Sequence, residues 1–167
     1  MFLLIVLVPF KGIAQSEQPV NRYDSIIFAA KEIINRSPFC ALVTIDSSGQ
    51  SQVRTMNPFP LKDDWVIWFA TSRNSRKVTE IRNNPSVSVY YADHTQPKGY
   101  VNFNGTAEII DDQDLLLKMK RDYWDSMKGW QDVFVLIRII PKTMDVINYE
   151  RGIVGQQGTN RSPSVEL

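Results

Sequence analysis

Hydrophobic positions recur at helical spacing near the start of the chain and in strand-like runs over most of the remainder. From Asp24 to Arg36 the apolar residues lie three or four positions apart, which predicts an amphipathic helix that ends before Pro38. Short strand-like segments follow, and turn residues separate them. The predicted strands cover residues 39–45, 52–56, 65–70, 86–91, 100–110, 133–140 and 143–148. Six or seven short strands with few helices predict a mainly β protein, a closed or half-open β-barrel with flanking helices.

Two further helices are predicted between these strands. The first covers residues 75–83 and is closed by Asn84-Pro85, and the second covers residues 111–124, with acids in its first turn. Gly105 lies in the middle of a predicted strand, which indicates a β-bulge or a close backbone approach. Pro141 is expected to separate the last two strands.

The N-terminus carries an apolar run from Met1 to Phe10, which is too short to cross a bilayer. Its length suits the apolar region of a secretory signal, and Gly12 and Ala14 are small residues before a cut after Ala14. The basic residues that normally precede such a run are missing, and an N-terminal strand or buried arm is the alternative. The predicted organisation is a signal peptide over 1–14, a linker over 15–23, a domain over 24–149 and a flexible tail over 150–167. We expect an exported protein, periplasmic or secreted, with no stable membrane span after processing; a cytoplasmic location is the alternative.

Composition excludes several classes of protein and site. The chain has 167 residues with 19 Lys and Arg against 18 Asp and Glu, so its formal charge of +1 does not favour nucleic-acid binding. Cys40 is the single cysteine and His94 the single histidine, which excludes an intrachain disulfide and metal sites that need two His. We expect Cys40 to be packed in a strand and His94 to lie at the surface. Asp111, Asp112 and Asp114 are better explained as a helix cap than as a metal site.

Positive charge is concentrated between residues 71 and 82, where the formal net charge is +3. Ser75 opens the predicted helix, where backbone N–H groups are free, and Arg76 and Lys77 follow it. Fixed donors beside two cations suit a phosphate dianion, whereas a solvated helix face with a Ser cap is the alternative. Arg54, at the end of the second strand, could join the same anion or simply face outward.

Residues 65–85, which read WVIWFATSRNSRKVTEIRNNP, resemble the pyridoxamine-phosphate-oxidase-like FMN-binding split barrels. In that family a strand ending in an aromatic residue and Thr leads to Ser-Arg-Lys and then to a helix closed by Asn-Pro. The segment Arg54-Thr55-Met56 resembles the family's Arg-containing strand, and the resemblance extends over Ile26 to Asn148. The bacterial general stress protein 26 branch is similar in size and order. The resemblance implies a split β-barrel of about six or seven antiparallel strands.

The resemblance also implies the residues of a cofactor site. Arg54, Arg76 and Lys77 would hold the FMN phosphate, and Ser75 would help. Two neighbouring strands would lie along the isoalloxazine, with the residues Thr55, Met56, Asn57, Phe69, Ala70 and Thr71. The first three of these would act through their backbone.

Family members are homodimers with FMN at the subunit interface, so the resemblance implies a homodimer whose partner completes the pocket. Trp124 and Trp130 are candidates for that role, with core or interface packing as the alternative. The implied function is an FMN-dependent oxidoreductase acting on an unknown small substrate. The alternatives are a non-catalytic module that binds or senses FMN, another flavin-like cofactor or haem, and a structural dimer with an empty site. The family's C-terminal Arg-x-His motif is missing from residues 151–161, so we expect no true pyridoxamine-phosphate oxidase activity.

Overall fold

Antiparallel strands make up most of the fold in a computed structural model, which describes residues 22–167. The signal peptide predicted over 1–14 lies outside these described residues. The strands are β1 (Cys40–Ile45), β2 (Ser51–Met56), β3 (Ile67–Ser72), β4 (Ser86–Ala92), β5 (Gly99–Ile110), β6 (Phe134–Asn148) and β7 (Ser164–Glu166). The helices are α1 (Arg22–Arg36), α2 (Arg76–Asn83), α3 (Gln113–Lys118) and α4 (Trp130–Val133), with 3-10 turns at Asp122–Ser126 and Tyr149–Arg151. Among these residues no helix has the length and hydrophobicity needed to cross a membrane.

The sheet curls so that its two end strands, β2 and β3, approach each other. The strand order is β2-β1-β4-β5-β6-β3, all neighbours are antiparallel, and β7 adds to β6. Just beyond β2, the backbone N–H of Phe59 donates to the carbonyl of Trp68 in β3 at 2.9 Å. Within residues 22–167 this link joins the two ends, while β2 and β3 themselves pair with no further strand on their outer sides. The predicted half-open barrel, a split barrel with flanking helices, is confirmed.

The interior of the barrel is filled by alternate residues of its strands. In β1 and β4 every second residue is buried, as at Leu42 and Val89, because successive side chains of a strand point to opposite faces. Helix α1 covers this core with one apolar face, formed by Ile26, Ala29, Ala30 and Ile33. The predicted amphipathic helix is therefore confirmed, and it begins at Arg22.

The two strands predicted on either side of Pro141 are one continuous strand, β6. Proline is tolerated there because the pairing of β5 with β6 shifts register between Asn104 and Gly105, so the ladder does not need an N–H at that point. A Cβ atom on Gly105 would lie 2.3 Å from the carbonyl oxygen of Ile140. The expected close backbone approach at Gly105 is confirmed, and the prediction of two separate strands is wrong.

The helix predicted over residues 111–124 is also corrected, because it consists of two shorter pieces. Asp112 caps α3 as expected, since its Oδ1 accepts a hydrogen bond from the backbone N–H of Leu115 at 2.9 Å. The helix ends at Lys118, and a 3-10 turn begins at Asp122. Between them the sequence is polar apart from Met119, so no apolar stripe favours a continuous helix there.

The tail expected over residues 150–167 contains the short strand β7, which the sequence pattern did not predict. Ser164, Val165 and Glu166 pair with residues 143–145 of β6, and Val165 is buried. Near the start of β7, the hydroxyl groups of Tyr100 and Ser162 lie 2.5 Å apart. The end of the chain is therefore part of the sheet.

Candidate functional site

Three cationic side chains that were predicted to hold a phosphate lie together around the start of α2. Arg54 comes from β2, whereas Arg76 and Lys77 lie in the first turn of α2. Glu80, one turn further along α2, accepts a hydrogen bond from Arg54 Nη2 at 2.8 Å. Its other carboxylate oxygen lies 2.9 Å from Arg76 Nε. Glu80 thus connects the strand to the helix and brings Arg54 and Arg76 into one cluster.

Lys77 reaches toward the end of β3 instead. Its Nζ donates to Thr71 Oγ1 at 3.0 Å, and the same oxygen lies 3.4 Å from the hydroxyl of Ser75. Burial lowers the pKa of Lys77, and the nearby positive charge of Arg54 lowers it further. Within the described residues Lys77 forms no salt bridge, so it remains available to an anion. The structure therefore places Ser75 near the cations predicted to share the phosphate with it, and it also places Thr71 there, which was expected along the ring.

Glu80 is the acidic member of the cluster, and its side chain is only 4% exposed. Burial acts to raise its pKa, but hydrogen bonds from Thr44 and Arg54 and the charges of Arg54 and Arg76 outweigh burial, so the pKa is lowered. Thr44 donates to Glu80 and accepts from Arg54. One carboxylate against three cations leaves a formal excess of two positive charges.

Three members of the cluster were not found by sequence reasoning: Thr44, Gln52 and Glu80. Gln52 Oε1 accepts a hydrogen bond from Arg76 Nη2 at 2.9 Å. Glu80 lies four residues after Arg76, so the usual i,i+4 pairing of charges on a helix could have indicated it. Thr44 and Gln52 face each other in the β1–β2 hairpin, and that register is not visible in the sequence.

The residues predicted to lie along the flavin ring occupy the two open edges of the barrel. Thr55 and Asn57 are exposed on the β2 side. Met56 and Phe69 point into the core, where Phe69 has no accessible surface, so only their backbone lies at an edge. Ala70, in β3, is half-buried against a second apolar cluster on the outer face. Contacts of Phe69 and the other residues of both strands with the ring remain a prediction.

A groove of about 840 Å³ begins close to the point where the two edges meet. Its lining includes aromatic and cationic side chains: Phe59, Trp68, Tyr123, Lys62, Lys118 and Arg121. The Arg121 guanidinium donates to the carbonyls of Asn57 and Pro58, both at 3.0 Å, and lies 4.3 Å from the ring centre of Phe59. Arg121 therefore fixes the segment after β2 against the wall of this groove.

The other residues considered in the sequence analysis, two tryptophans and the single histidine and cysteine, lie away from the cationic cluster. Trp124 and Trp130 are buried within the protomer, with ring centres 5.2 Å apart, and pack a second core, which was the alternative interpretation for them. His94 is exposed and its ring stacks on that of Tyr90 at 6.4 Å. Burial raises the pKa of Cys40 to about 12, so it is not a reactive thiolate near neutral pH.

Comparison with known proteins gives matches at the level of family and fold. General Stress Protein 26 from Bacillus anthracis shares 25% identity with a TM-score of 0.64, over 84% of this chain and 97% of that one. An F420 reductase shares 23% identity with a TM-score of 0.55, over 68% of this chain and 94% of that one. A heme binding protein from Mycobacterium smegmatis shares 14% identity with a TM-score of 0.59, over 83% of this chain and 56% of that one.

A comparison with curated proteins gives no match. The family model for pyridoxamine 5'-phosphate oxidase matches residues 28–152, which include the barrel, the cationic cluster and both open edges. The chain therefore belongs to the pyridoxamine 5'-phosphate oxidase family.

Proposed function

We propose that the protein binds FMN at the open side of its barrel and acts as a flavin-dependent oxidoreductase on a small substrate. The observation that carries this proposal is the cluster of Arg54, Arg76 and Lys77 around Glu80. Its excess of two positive charges matches one phosphate dianion. The Ser75 hydroxyl and the free N–H groups of the first turn of α2 add neutral donors. Flavin is the typical ligand of this family, which supports the same assignment.

The two open edges suit the ring of the cofactor. An isoalloxazine carries carbonyl groups and ring nitrogens, and an unpaired strand edge offers backbone N–H and C=O groups to match them. Thr55 and Asn57 lie at one edge, and Ala70 and Thr71 at the other. FMN bound there would supply the redox chemistry. The protein's own residues would hold the phosphate and orient the ring.

The groove beside Asn57 is the proposed place of the second reactant. It begins next to the segment expected to contact the ring, because Phe59 in its wall follows Asn57 by two residues. Its volume is sufficient for a small molecule. The aromatic rings, together with four cations against one acid, Asp122, favour a planar molecule that carries negative charge.

We further propose a homodimer with the flavin site at its interface. Val53 and Phe39 have 64% and 54% exposed side chains on the same side of the sheet as Thr55. Exposed apolar side chains beside a site are typical of surfaces that a second copy covers. Val53 and Arg54 are neighbours in β2 with side chains on opposite faces, so a partner that covers Val53 would contact the β2 edge from the face opposite the cluster.

Cofactor extraction from protein purified in air tests the proposal, with the cofactor identified by mass. We expect FMN in the wild type and its loss, by about a hundredfold in affinity or more, in the double variant Arg76→Ala/Lys77→Ala. Arg82→Ala, an exposed cation of the same helix, is the matched control and should retain FMN. Bound heme or F420, or unchanged FMN in the double variant, would contradict the assignment.

A non-catalytic role in FMN binding or sensing is the second candidate. It is favoured by the position of the single histidine and cysteine, since neither His94 nor Cys40 touches the cationic cluster. Reduction of the bound flavin by a nicotinamide donor, followed by turnover on an acceptor, separates the two. Flavin that stays oxidised with every donor supports the binding role.

A further inference from the structure

A buried carboxylate lies among the three cations, at a place where a bound phosphate needs positive charge. Arg54, Arg76 and Lys77 are called the phosphate clamp here. Both oxygens of Glu80 face its guanidinium groups, with Oε2 2.8 Å from Arg54 Nη2 and Oε1 2.9 Å from Arg76 Nε. An acid in this position either competes with the phosphate or prepares the clamp for it.

The donors that Glu80 leaves free decide between these two roles. A guanidinium has five N–H groups and an ammonium three. Within residues 22–167, Arg54 makes hydrogen bonds through its two terminal nitrogens, which leaves Nε without one. Arg76 Nη1 also makes none there, and Lys77 uses one N–H. Each member of the clamp therefore keeps a donor that Glu80 does not occupy.

The second oxygen of Glu80 is buried without a hydrogen bond in the described part of the chain. Arg76 Nε is near enough for an ion pair but is not aligned for a hydrogen bond. Buried carboxylate oxygens are normally satisfied, so this one has unused capacity to accept. The side chain of Arg76 is 71% exposed and is held by Gln52 and Glu80, whereas that of Arg54 is 18% exposed. Glu80 is thus a buried fixed point shared by an exposed and a largely buried guanidinium group.

We infer that Glu80 is a positioning residue that prepares the clamp for one phosphate monoester dianion. It cancels one of three positive charges and keeps two mutually repelling guanidinium groups on either side of a shared carboxylate. The inference rests on the proposed function, FMN bound with its phosphate at the clamp. Riboflavin has the same ring as FMN and no phosphate. The ratio of the dissociation constants of riboflavin and FMN therefore isolates what the phosphate clamp contributes to binding.

Fluorescence titration of flavin-depleted, full-length protein with FMN and with riboflavin tests the inference. In Glu80→Gln we expect the preference for FMN over riboflavin to fall tenfold or more, while riboflavin affinity stays within twofold of the wild type. In Glu80→Asp the charge remains but the carboxylate is withdrawn by one methylene, so the same preference should fall in the same direction. Glu108→Gln removes one exposed acid that pairs with Arg138 and should leave the preference unchanged.

A preference for FMN that is retained or increased in Glu80→Gln would show that the acid merely competes with phosphate, and would overturn the inference. If Glu80→Gln does not fold, Glu80→Asp decides the matter by the same ratio, because it keeps a carboxylate beside Arg54. A wild type that binds FMN no better than riboflavin would overturn the phosphate site itself. If the wild type and both variants prefer FMN to the same extent, the phosphate site stands and only the inference about Glu80 is overturned.

Discussion

Gln52 accepts a hydrogen bond from Arg76 at 2.9 Å, which ties an exposed cation of α2 to strand β2. The amide nitrogen of Gln52 donates in turn to Asp46 Oδ2 at 2.7 Å. The turn that joins β1 to β2 is therefore connected to the phosphate clamp through one side chain. The β1–β2 hairpin therefore holds Arg76 through Gln52, in addition to the contact that Arg76 makes with Glu80.

Removing this support should weaken phosphate binding without unfolding the protein. For Gln52→Ala we expect FMN affinity to fall by about threefold to tenfold, which corresponds to roughly one hydrogen bond to a charged group at an exposed site. Gln50→Ala, in the same turn and exposed, is the control. Titration with FMN measures both, and equal affinities in the two variants would contradict a role for Gln52.

The Asp46 turn should make stability depend on acid pH. Hydrogen bonds from the Ser48 hydroxyl and the backbone N–H of Gln50 lower the pKa of Asp46 to about 2, although burial opposes them. Because the pKa of Asp46 is lower in the folded than in the unfolded protein, its contribution is complete above about pH 5 and is lost as the pH falls toward 2. Urea midpoints at pH 7, 4 and 3 should fall less steeply for Asp46→Asn than for the wild type. Parallel curves would refute this prediction.

The second core, formed by Trp124, Trp130, Leu116 and Leu136, should tolerate loss of a polar atom better than loss of volume. Trp124 is fully buried, and its indole N–H has no hydrogen-bond partner among the described residues. Trp124→Ala should therefore lower the free energy of unfolding by about 3–5 kcal/mol. Trp124→Phe also removes an unsatisfied donor, so it should lose less than the alanine variant. Chemical denaturation gives both values, and a loss in Trp124→Phe as large as that in Trp124→Ala would contradict the prediction.

The exposed apolar side chain of Val53 should matter for self-association. Val53→Asp places a charge on the face proposed to contact a second copy, and we expect a shift from dimer to monomer in light scattering. Val154→Asp, at an equally apolar residue that is 52% exposed in the C-terminal segment, is the control and should remain dimeric. A wild type that is monomeric at micromolar concentration would remove the proposed interface.

Export predicts a processed N-terminus. Sequencing of protein recovered outside the cytoplasm should begin near Gln15, and Ala14→Arg should block the cut because signal cleavage needs a small residue there. An intact Met1 on a cytoplasmic protein would show that the apolar run has another role.

Local signals predicted much of this fold and the three cations of its cluster. Alternation of apolar residues located most strands, and the Ser75-Arg76-Lys77 string located the start of α2 because neighbouring residues carry that information. Thr44 and Glu80 were missed because register and barrel closure bring them to Arg54, and a single sequence records neither. The break predicted at Pro141 failed for a similar reason, since the strand tolerates proline only where its partner shifts register.

The order of the strands in the sheet also determines when each strand can pair while the protein is being synthesised. In the described part of the chain, β3 pairs with β6 alone, and β6 begins only at Phe134. While the ribosome adds the intervening residues, β1, β2, β4 and β5 can already pair, but β3 has both edges open. A nascent chain or fragment that stops before Phe134 therefore lacks β6 and leaves β3 unpaired with the rest of the half-open barrel. Thr71, the partner of Lys77, is fixed in its strand only when the last part of the sheet arrives.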